Sequence, residues 1–319
     1  MATGKRIAIV CPAPPGTQHG NRIRALRYQW IARKLGYRVR IQTELPGNYD
    51  VAIVLHAFHG NAAIRDAKSR HPERPVVLAI TGTDLYRDGK SAKVKSSLSL
   101  CDRIVVSQST ISDDLPKAHQ SKSRIIHQSS PTLAIARPAS PRANRVIVAG
   151  HLRAVKDPFR AAFAVRNLPP ESKILVEHFG KPRESNMAQK AKAEMARNAR
   201  YRWFGEIPRG KLRRRIATSW MMVLSSKMEG GANVLSEAIA NGTPVLSSNI
   251  AGSRGMLGKD YNGYFKVGET KKLQELLLQC ENEPAFYRSL QRQVEKRKKL
   301  VDPTRELQAW KQFLSNLIR

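Results

Sequence analysis

Between Met221 and Asn249 the chain reads MMVLSSKMEGGANVLSEAIANGTPVLSSN, and no other stretch constrains the fold as tightly. The run Met221-Met222-Val223-Leu224 is short and wholly apolar, the pattern of a parallel strand covered on both faces. Glu229-Gly230-Gly231-Ala232-Asn233 then opens a helix expected over Ala232 to Asn241, and Gly242 stops it. A second strand is expected at Pro244 to Ser247. Strand, turn, helix and strand in so short a space form a βαβ unit, which requires a parallel sheet.

The turn inside this unit also carries chemistry. Adjacent glycines let a ligand approach the backbone, and the amides of a helix's first turn, with the positive end of its dipole, favour an anion. Phosphate is the obvious candidate, yet two carboxylates flank the turn, Glu229 before the helix and Glu237 one turn inside it. Acids repel phosphate, so an E-x7-E pair fits better if each accepts hydrogen bonds from hydroxyls on either side of a diphosphate, one on a sugar and one on a ribose. Taken singly, Glu237 reads as a solvated helix residue and Glu229 as an acid compensating the helix dipole.

The same rhythm runs through the whole chain. In the first half, strands are expected at Arg6 to Val10, Val39 to Gln42, Val51 to Leu55, Val76 to Ile80, Arg103 to Val106 and Arg124 to His127. Helical patterns lie between them, including Asn21 to Leu35, where Ile23, Leu26 and Trp30 share a face, and Asn61 to Arg70. The segment Ser129 to Asn144, rich in proline, serine and alanine, breaks the rhythm and is expected to link two domains. Strands resume at Arg145 to Ala149, Lys173 to Glu177, Tyr201 to Phe204, Trp220 to Leu224 and Pro244 to Ser247, and helices fill Thr270 to Arg319. The expectation is an α/β protein of two doubly wound, Rossmann-like domains, residues 1–142 and 143–319, the second with a helical tail. Ligand crevices belong at the carboxyl ends of the strands.

Composition narrows the function classes. The 319 residues, 41% of them apolar, suffice for two cores. Cys11, Cys101 and Cys280 are far apart and form neither a disulfide framework nor a zinc knuckle, which fits a cytoplasmic location. No run approaches the roughly eighteen apolar residues of a membrane span, and the apolar run after Met1 is too short for a secretory signal. The net charge of +31 invites a nucleic-acid reading. It divides evenly, +14 in residues 1–142 and +17 in 143–319, with no basic arm and no aromatic RNA-binding motif. No nucleic-acid partner is therefore expected.

The remaining strand-end loops carry candidate residues. Pro12 to Arg22 reads PAPPGTQHGNR and places Gly16, His19 and Gly20 before a helix opening with Asn21, Arg22 and Arg24, a second anion site or an ordinary turn before a basic helix. His56 and His59 follow the third strand, an H-x-x-H pair without a further ligand at metal spacing. Thr81-Gly82-Thr83-Asp84 follows the fourth, suited to a pocket wall, with Asp84 alternatively a helix N-cap. In the second half Gly150-His151-Leu152-Arg153-Ala154-Val155-Lys156-Asp157 follows a strand, and Arg153 and Lys156 are expected to face the glycine turn, neutralising a diphosphate, or else to form surface ion pairs. No G-x-G-x-x-G, Walker A run or D-x-D is present, which counts against a dinucleotide enzyme, an NTPase and a metal-dependent sugar transferase.

The order of these features resembles the GT-B glycosyltransferases of family 4, two Rossmann-like domains facing each other across a cleft. That family carries a strand-end Arg and Lys for the diphosphate, a nucleobase-contacting F-x-G strand end and the E-x7-E element. Here Lys156, the segment Phe204-Gly205-Glu206 and the pair Glu229/Glu237 stand at the matching places. The family's Arg position directly after the glycine is His151, and Arg153 is the nearest arginine. More closely, the chain is similar to the selenosugar synthases of selenoneine biosynthesis through PAPPGTQHGNR, TGTDLYRD, GHLRAVKDP, LSSKMEGGANVLSEA and GKDYNGYF. The resemblance implies a UDP-sugar donor, UDP-N-acetylglucosamine in the first place, held by Gly150, His151, Arg153, Lys156, Gly205, Glu206, Glu229, Gly230, Gly231, Ala232, Asn233 and Glu237. It implies selenophosphate as acceptor, held by Gly16, His19, Gly20, Asn21, Arg22, His56, Thr83 and Asp84. Lys156, Arg153 and Glu229 are the catalytic candidates. No metal or cofactor is expected, and the enzyme would depend on a selenophosphate supply and feed a selenoneine-forming enzyme. The competing expectation from the same fold is transfer to a hydroxyl of a sugar or lipid.

Overall fold

The computed structural model describes residues 4–17, 20–135 and 143–318, and divides the chain into two compact units. The first unit comprises residues 1–128 together with Pro303–Arg319, the second Ser129–Asp302. This corrects the expected division in two ways. The boundary lies at Ser129 rather than after residue 142, and the last helix, Pro303–Leu317, belongs to the first unit rather than to the tail of the second.

In the first unit six parallel strands, β1 (Arg6–Val10), β2 (Arg38–Gln42), β3 (Val51–Leu55), β4 (Val76–Ala79), β5 (Arg103–Val106) and β6 (Ser123–Ile125), stand in the order β2-β1-β3-β4-β5-β6. β3 and β4 are buried along their whole length, as expected of central strands of a parallel sheet covered by helices. The order reverses between β1 and β3, so the crevice at this switch point is bounded by the loops after Val10 and after Leu55.

The helix Gly20–Lys34 turns a different face inward from the one the apolar spacing suggests. Leu26 and Trp30 are 47% and 51% exposed, whereas Arg24, Ala25, Tyr28, Ile31 and Ala32 are buried. The reason is the returning C-terminal helix. Tyr28 meets Trp310 with ring centroids 4.6 Å apart, and Arg27 pairs with the buried Glu306 at 2.5 Å. A partner 279 positions away is invisible to local periodicity.

The second unit holds β7 (Asn144–Ala149), β8 (Ile174–Phe179), β9 (Tyr201–Trp203), β10 (Met221–Leu224), β11 (Val245–Ser248) and β12 (Tyr264–Phe265), all parallel, in the order β12-β11-β10-β7-β8-β9. The switch point falls between β7 and β10. The loops that meet there are GHLRAVKD and SSKMEGG. β8 runs two residues past its expected end because Glu177 and His178, polar in sequence, are buried with their partners: Glu177 with Arg145 and Arg215, His178 with Tyr201 and Gly150. β12 escaped the sequence reading because it is only two residues long.

The expected linker is tied down where it is described. Ser130 N–H donates to Val301 O, Thr132 Oγ1 to Ala240 O, and Leu133 N–H to Asn241 Oδ1, all within the second unit. The remainder of that segment, residues 136–142, lies outside the described residues. Among the described residues no helix is long and apolar enough to cross a membrane, and Cys11, Cys101 and Cys280 are buried and free.

Candidate active site

At the switch point of the second unit, backbone and hydroxyl bonds lace the β7 loop to the β10 loop. Lys227 N–H donates to Val155 O at 2.9 Å, and Ser225 Oγ donates to Lys156 O at 3.2 Å and Asp157 O at 2.8 Å. Asp157 takes a left-handed conformation (φ 44°), sparsely populated by residues other than glycine, and its carboxylate holds Arg160 at 2.8 Å. The lacing delivers Lys156 Nζ onto Glu229 Oε1, which also accepts from Ser226 Oγ at 2.7 Å. Both partners fall on Oε1, so among the described residues Oε2 of Glu229 is left for a further donor. Lys156 thus faces the glycine turn as its spacing suggests. Ser226 was not singled out in the sequence; its place two residues past the end of β10 was the available signal.

Glu229 is pinned from behind by the helix Ala251–Leu257. A Cβ on Gly252 would lie 2.2 Å from Glu229 O, so only glycine lets this helix approach so closely. Gly230 is buried and Gly231 partly exposed, and the following helix spans Asn233–Ala240 with Ala232 as an N-cap that supplies no side-chain hydrogen bond. Its first-turn amides are therefore not satisfied by a capping side chain.

Glu237 is buried, not the solvated helix residue that its sequence context taken singly suggests. Arg209 reaches its Oε1 from Nε at 3.3 Å and Nη2 at 3.2 Å, across from the neighbouring helix Arg209–Thr218. Arg209 is a site neighbour that sequence reasoning missed; it sits at the start of its helix, after Pro208, where no motif marks it.

Of the other donor-side candidates, Gly205 adopts φ 70°, and its carbonyl accepts from Gly180 N–H at 2.7 Å. Glu206 beside it is exposed, and the exposed ring of Phe204 stacks on Phe179 with centroids 5.1 Å apart. His151 Nδ1 accepts from Lys181 N–H at 3.2 Å. Arg153 Nε is buried with no hydrogen-bond partner among the described residues. An unpaired buried guanidinium nitrogen is costly unless a ligand satisfies it.

In the first unit, Gly16 is exposed with φ 76°, Gly20 begins the helix, and Asn21 and Arg22 form its first turn. His19 lies outside the described residues. Arg24 is withdrawn from any ligand, its Nη1 donating to Ile80 O at 2.7 Å in a buried site. Arg22 instead keeps a buried Nε without a partner among the described residues. It lies near enough to Cys11 to favour the thiolate, although burial dominates and raises that thiol's pKa.

His56 closes β3 in a left-handed conformation, φ 75°, and is buried. Its Nδ1 accepts from His59 N–H at 3.4 Å, so Nε2 carries the proton and donates to Thr83 Oγ1 at 3.2 Å. Burial lowers its pKa, with the charge of Asp84 pulling the other way.

Asp84 is the correction in this unit. Its carboxylate is fully buried and accepts from Ala57 N–H (3.0 Å), Thr81 N–H (3.0 Å) and Gly82 N–H (2.8 Å). It ties the β3 loop to the β4 loop, which is why an acid stands beside an expected anion site. Fully buried, the Asp84 carboxylate presents no surface to an acceptor, and Asp84 is not the N-cap of the short helix Thr83–Tyr86, whose cap is Gly82. Among the described residues no three His, Cys, Asp or Glu side chains gather as a metal site, and His56 and His59 stand as a ring pair with centroids 4.5 Å apart.

Comparison with known proteins places these features. No curated protein matches the chain by sequence. Among solved structures, the chain superposes on HepE from Anabaena in complex with UDP with a TM-score of 0.77 at 13% identity, covering 98% of this chain and 100% of that one. Sucrose-phosphate synthase from Thermosynechococcus elongatus gives 0.81 at 13% identity, with 98% and 99% coverage. The lipopolysaccharide outer core galactosyltransferase WaaB in its apo form gives 0.71 at 12%, with 98% and 99%. At these identities the likeness is one of fold, and the two six-stranded parallel α/β units match GT-B glycosyltransferase structures. The family model described as glycosyl transferases group 1 matches residues 134–300, which contain the β7 loop, the glycine turn and both carboxylates of the E-x7-E pair. The chain therefore belongs to the glycosyl transferases group 1 family.

Proposed function

We propose that the enzyme transfers a sugar from a UDP-sugar, UDP-N-acetylglucosamine in the first instance, to the selenium of selenophosphate, without a metal. The donor diphosphate would lie against the N-terminal turn of the helix Asn233–Ala240, with Lys156 and Arg153 as cations. Glu229 Oε2 would accept from a sugar hydroxyl and Glu237 from the ribose. The solved structures of HepE with UDP, and with UDP and glucose, support a uridine nucleotide as ligand.

In the reaction the C1–O bond to UDP breaks with its electron pair passing to the diphosphate, and selenium supplies the pair for the new C–Se bond. Water then cleaves the Se–P bond and phosphate leaves. A selenium nucleophile is soft and largely deprotonated at neutral pH, so it needs little help from a general base. The observation that carries the acceptor assignment is Arg22: a buried guanidinium Nε without a hydrogen-bond partner among the described residues, in the first turn of a helix behind a glycine loop, fits an anion the size of phosphate.

One observation favours the second reading, transfer to a lipid or sugar hydroxyl. Leu26 and Trp30 form an exposed apolar pair, with Arg33 and Lys34 exposed on the next turn of the same helix. Incubation with a panel of nucleotide sugars, with and without selenophosphate, followed by mass spectrometry, decides between them. A selenium-containing sugar formed only when both substrates are present supports the proposal. Sugar transfer to glycans or to lipid vesicles with none to selenophosphate would replace it with the second reading.

A further inference from the structure

We infer that His178 is a positioning residue for the donor diphosphate: it fixes the Gly150–His151 peptide so that the N–H of His151 is directed away from β8, to the side of β7 on which β10 lies. This rests on the donor-site reading above and extends it to a residue that touches no substrate.

His178 stands in β8 opposite Val148 of β7 and is fully buried. Its Nε2 lies 3.0 Å from Gly150 O and its Nδ1 2.9 Å from Tyr201 Oη. A carbonyl only accepts, so Nε2 carries the proton, and Nδ1 accepts from the tyrosine hydroxyl. The ring has one tautomer compatible with both bonds. Burial lowers its pKa to about 4, the bond to Gly150 opposing this, so the ring is neutral and the tautomer holds across the physiological range.

The consequence follows from peptide geometry. The C=O and N–H of a trans peptide point in opposite directions, and no cis bond occurs among the described residues. Drawing Gly150 O toward His178 therefore turns the His151 N–H the other way, out of the strand end. Gly180 makes room for this arrangement: a Cβ there would stand 1.9 Å from Gly150 O. Gly150 N–H, in the preceding peptide, is held at the same time by Phe179 O at 3.0 Å, so Gly150 is anchored to β8 through both of its peptides. A small cavity lined by Gly150, His178, Lys156, Ser225 and Ser226 connects this device to the Lys156–Glu229 pair.

The test compares UDP with uridine, which share the base and ribose but differ in the diphosphate. Dissociation constants are measured by calorimetry or NMR titration for the wild type, His178→Leu and His178→Gln. In His178→Leu the UDP constant should rise about tenfold, the value of one hydrogen bond to a charged group, while the uridine constant moves by less than about twofold. His178→Gln, which keeps an N–H donor, should recover most of the loss. Parallel loss of both ligands, or no loss of either, would overturn the inference. If the wild type binds neither ligand, the donor-site reading falls and takes this one with it, a result distinct from unequal effects in the variants. Should His178→Leu fail to fold, Tyr201→Phe keeps the ring and frees Nδ1. Its nitrogen NMR spectrum should then show mixed tautomers and its UDP constant a rise of a few-fold, whereas a wild-type ring protonated at Nδ1 would refute the argument directly.

Discussion

Replacing Lys156 by Ala tests the proposed chemistry most directly. The Lys156 side chain is about one-quarter exposed and its Nζ is paired with Glu229, so its field acts in a partly screened environment rather than in bulk water. At an effective dielectric of about 20, a unit positive charge about 4 Å from a unit negative charge contributes about 4 kcal/mol. If half a charge unit develops on the diphosphate as the glycosidic bond breaks, the differential stabilisation is about 2 kcal/mol, or roughly 30-fold in rate. The full charge sets a ceiling near 10³-fold, consistent with losses on removing one preorganised donor. The turnover number of Lys156→Ala should thus fall roughly 30- to 1000-fold, followed by UDP release at saturating substrates, with the thermal melting point as a control for the now unpaired Glu229. Arg153→Ala should fall less if His151 shares the task. A folded Lys156→Ala protein turning over within threefold of wild type would refute the assignment and move the diphosphate elsewhere.

Four further outcomes are expected. Glu237→Ala should weaken UDP binding by about 1.5–3 kcal/mol in calorimetry, because a buried carboxylate is lost from the ribose; an unchanged constant returns Glu237 to a structural partner of Arg209. Arg22→Ala or Asn21→Ala should raise the Michaelis constant for selenophosphate about 10- to 100-fold and that for the donor less than about threefold; the reverse pattern would assign the first-unit loop to the nucleotide sugar. Activity should survive chelation by EDTA, and a loss restored by Mg²⁺ would sink the metal-free mechanism. Glu194 is buried, which raises its pKa, but bonds from Arg166, Asn198 and Arg197 outweigh that and hold the carboxyl at about 2. Its folded pKa lies below the unfolded value, so its contribution is full above about pH 4.5 and is lost as pH falls toward 2. The melting point should drop across that window, and less steeply in Glu194→Gln.

What the sequence determined by itself is the set of features written in neighbouring residues. Apolar runs such as Val51–Leu55 and Met221–Leu224 can only be central strands of a covered parallel sheet. Glycines placed where strands end mark the loops that become switch points. The glycine turn, Lys156 and the E-x7-E pair were legible for the same reason, since strand end, adjacent glycines and helix start follow one another within a few residues. What the tertiary structure alone decided depends on partners distant along the chain. Asp84 looked like a pocket residue until the amides of Ala57, Thr81 and Gly82 closed on its carboxylate. The apolar face of Gly20–Lys34 was misjudged because the helix carrying Trp310 returns to cover the other side. Glu237 proved buried because Arg209 of the neighbouring helix reaches it. His178 was hidden inside a strand whose polar residues looked like an end, and its role depends on Gly150 and Tyr201, which only the sheet brings beside it. A buried polar group must find partners wherever the fold supplies them, and local pattern carries no record of where those are.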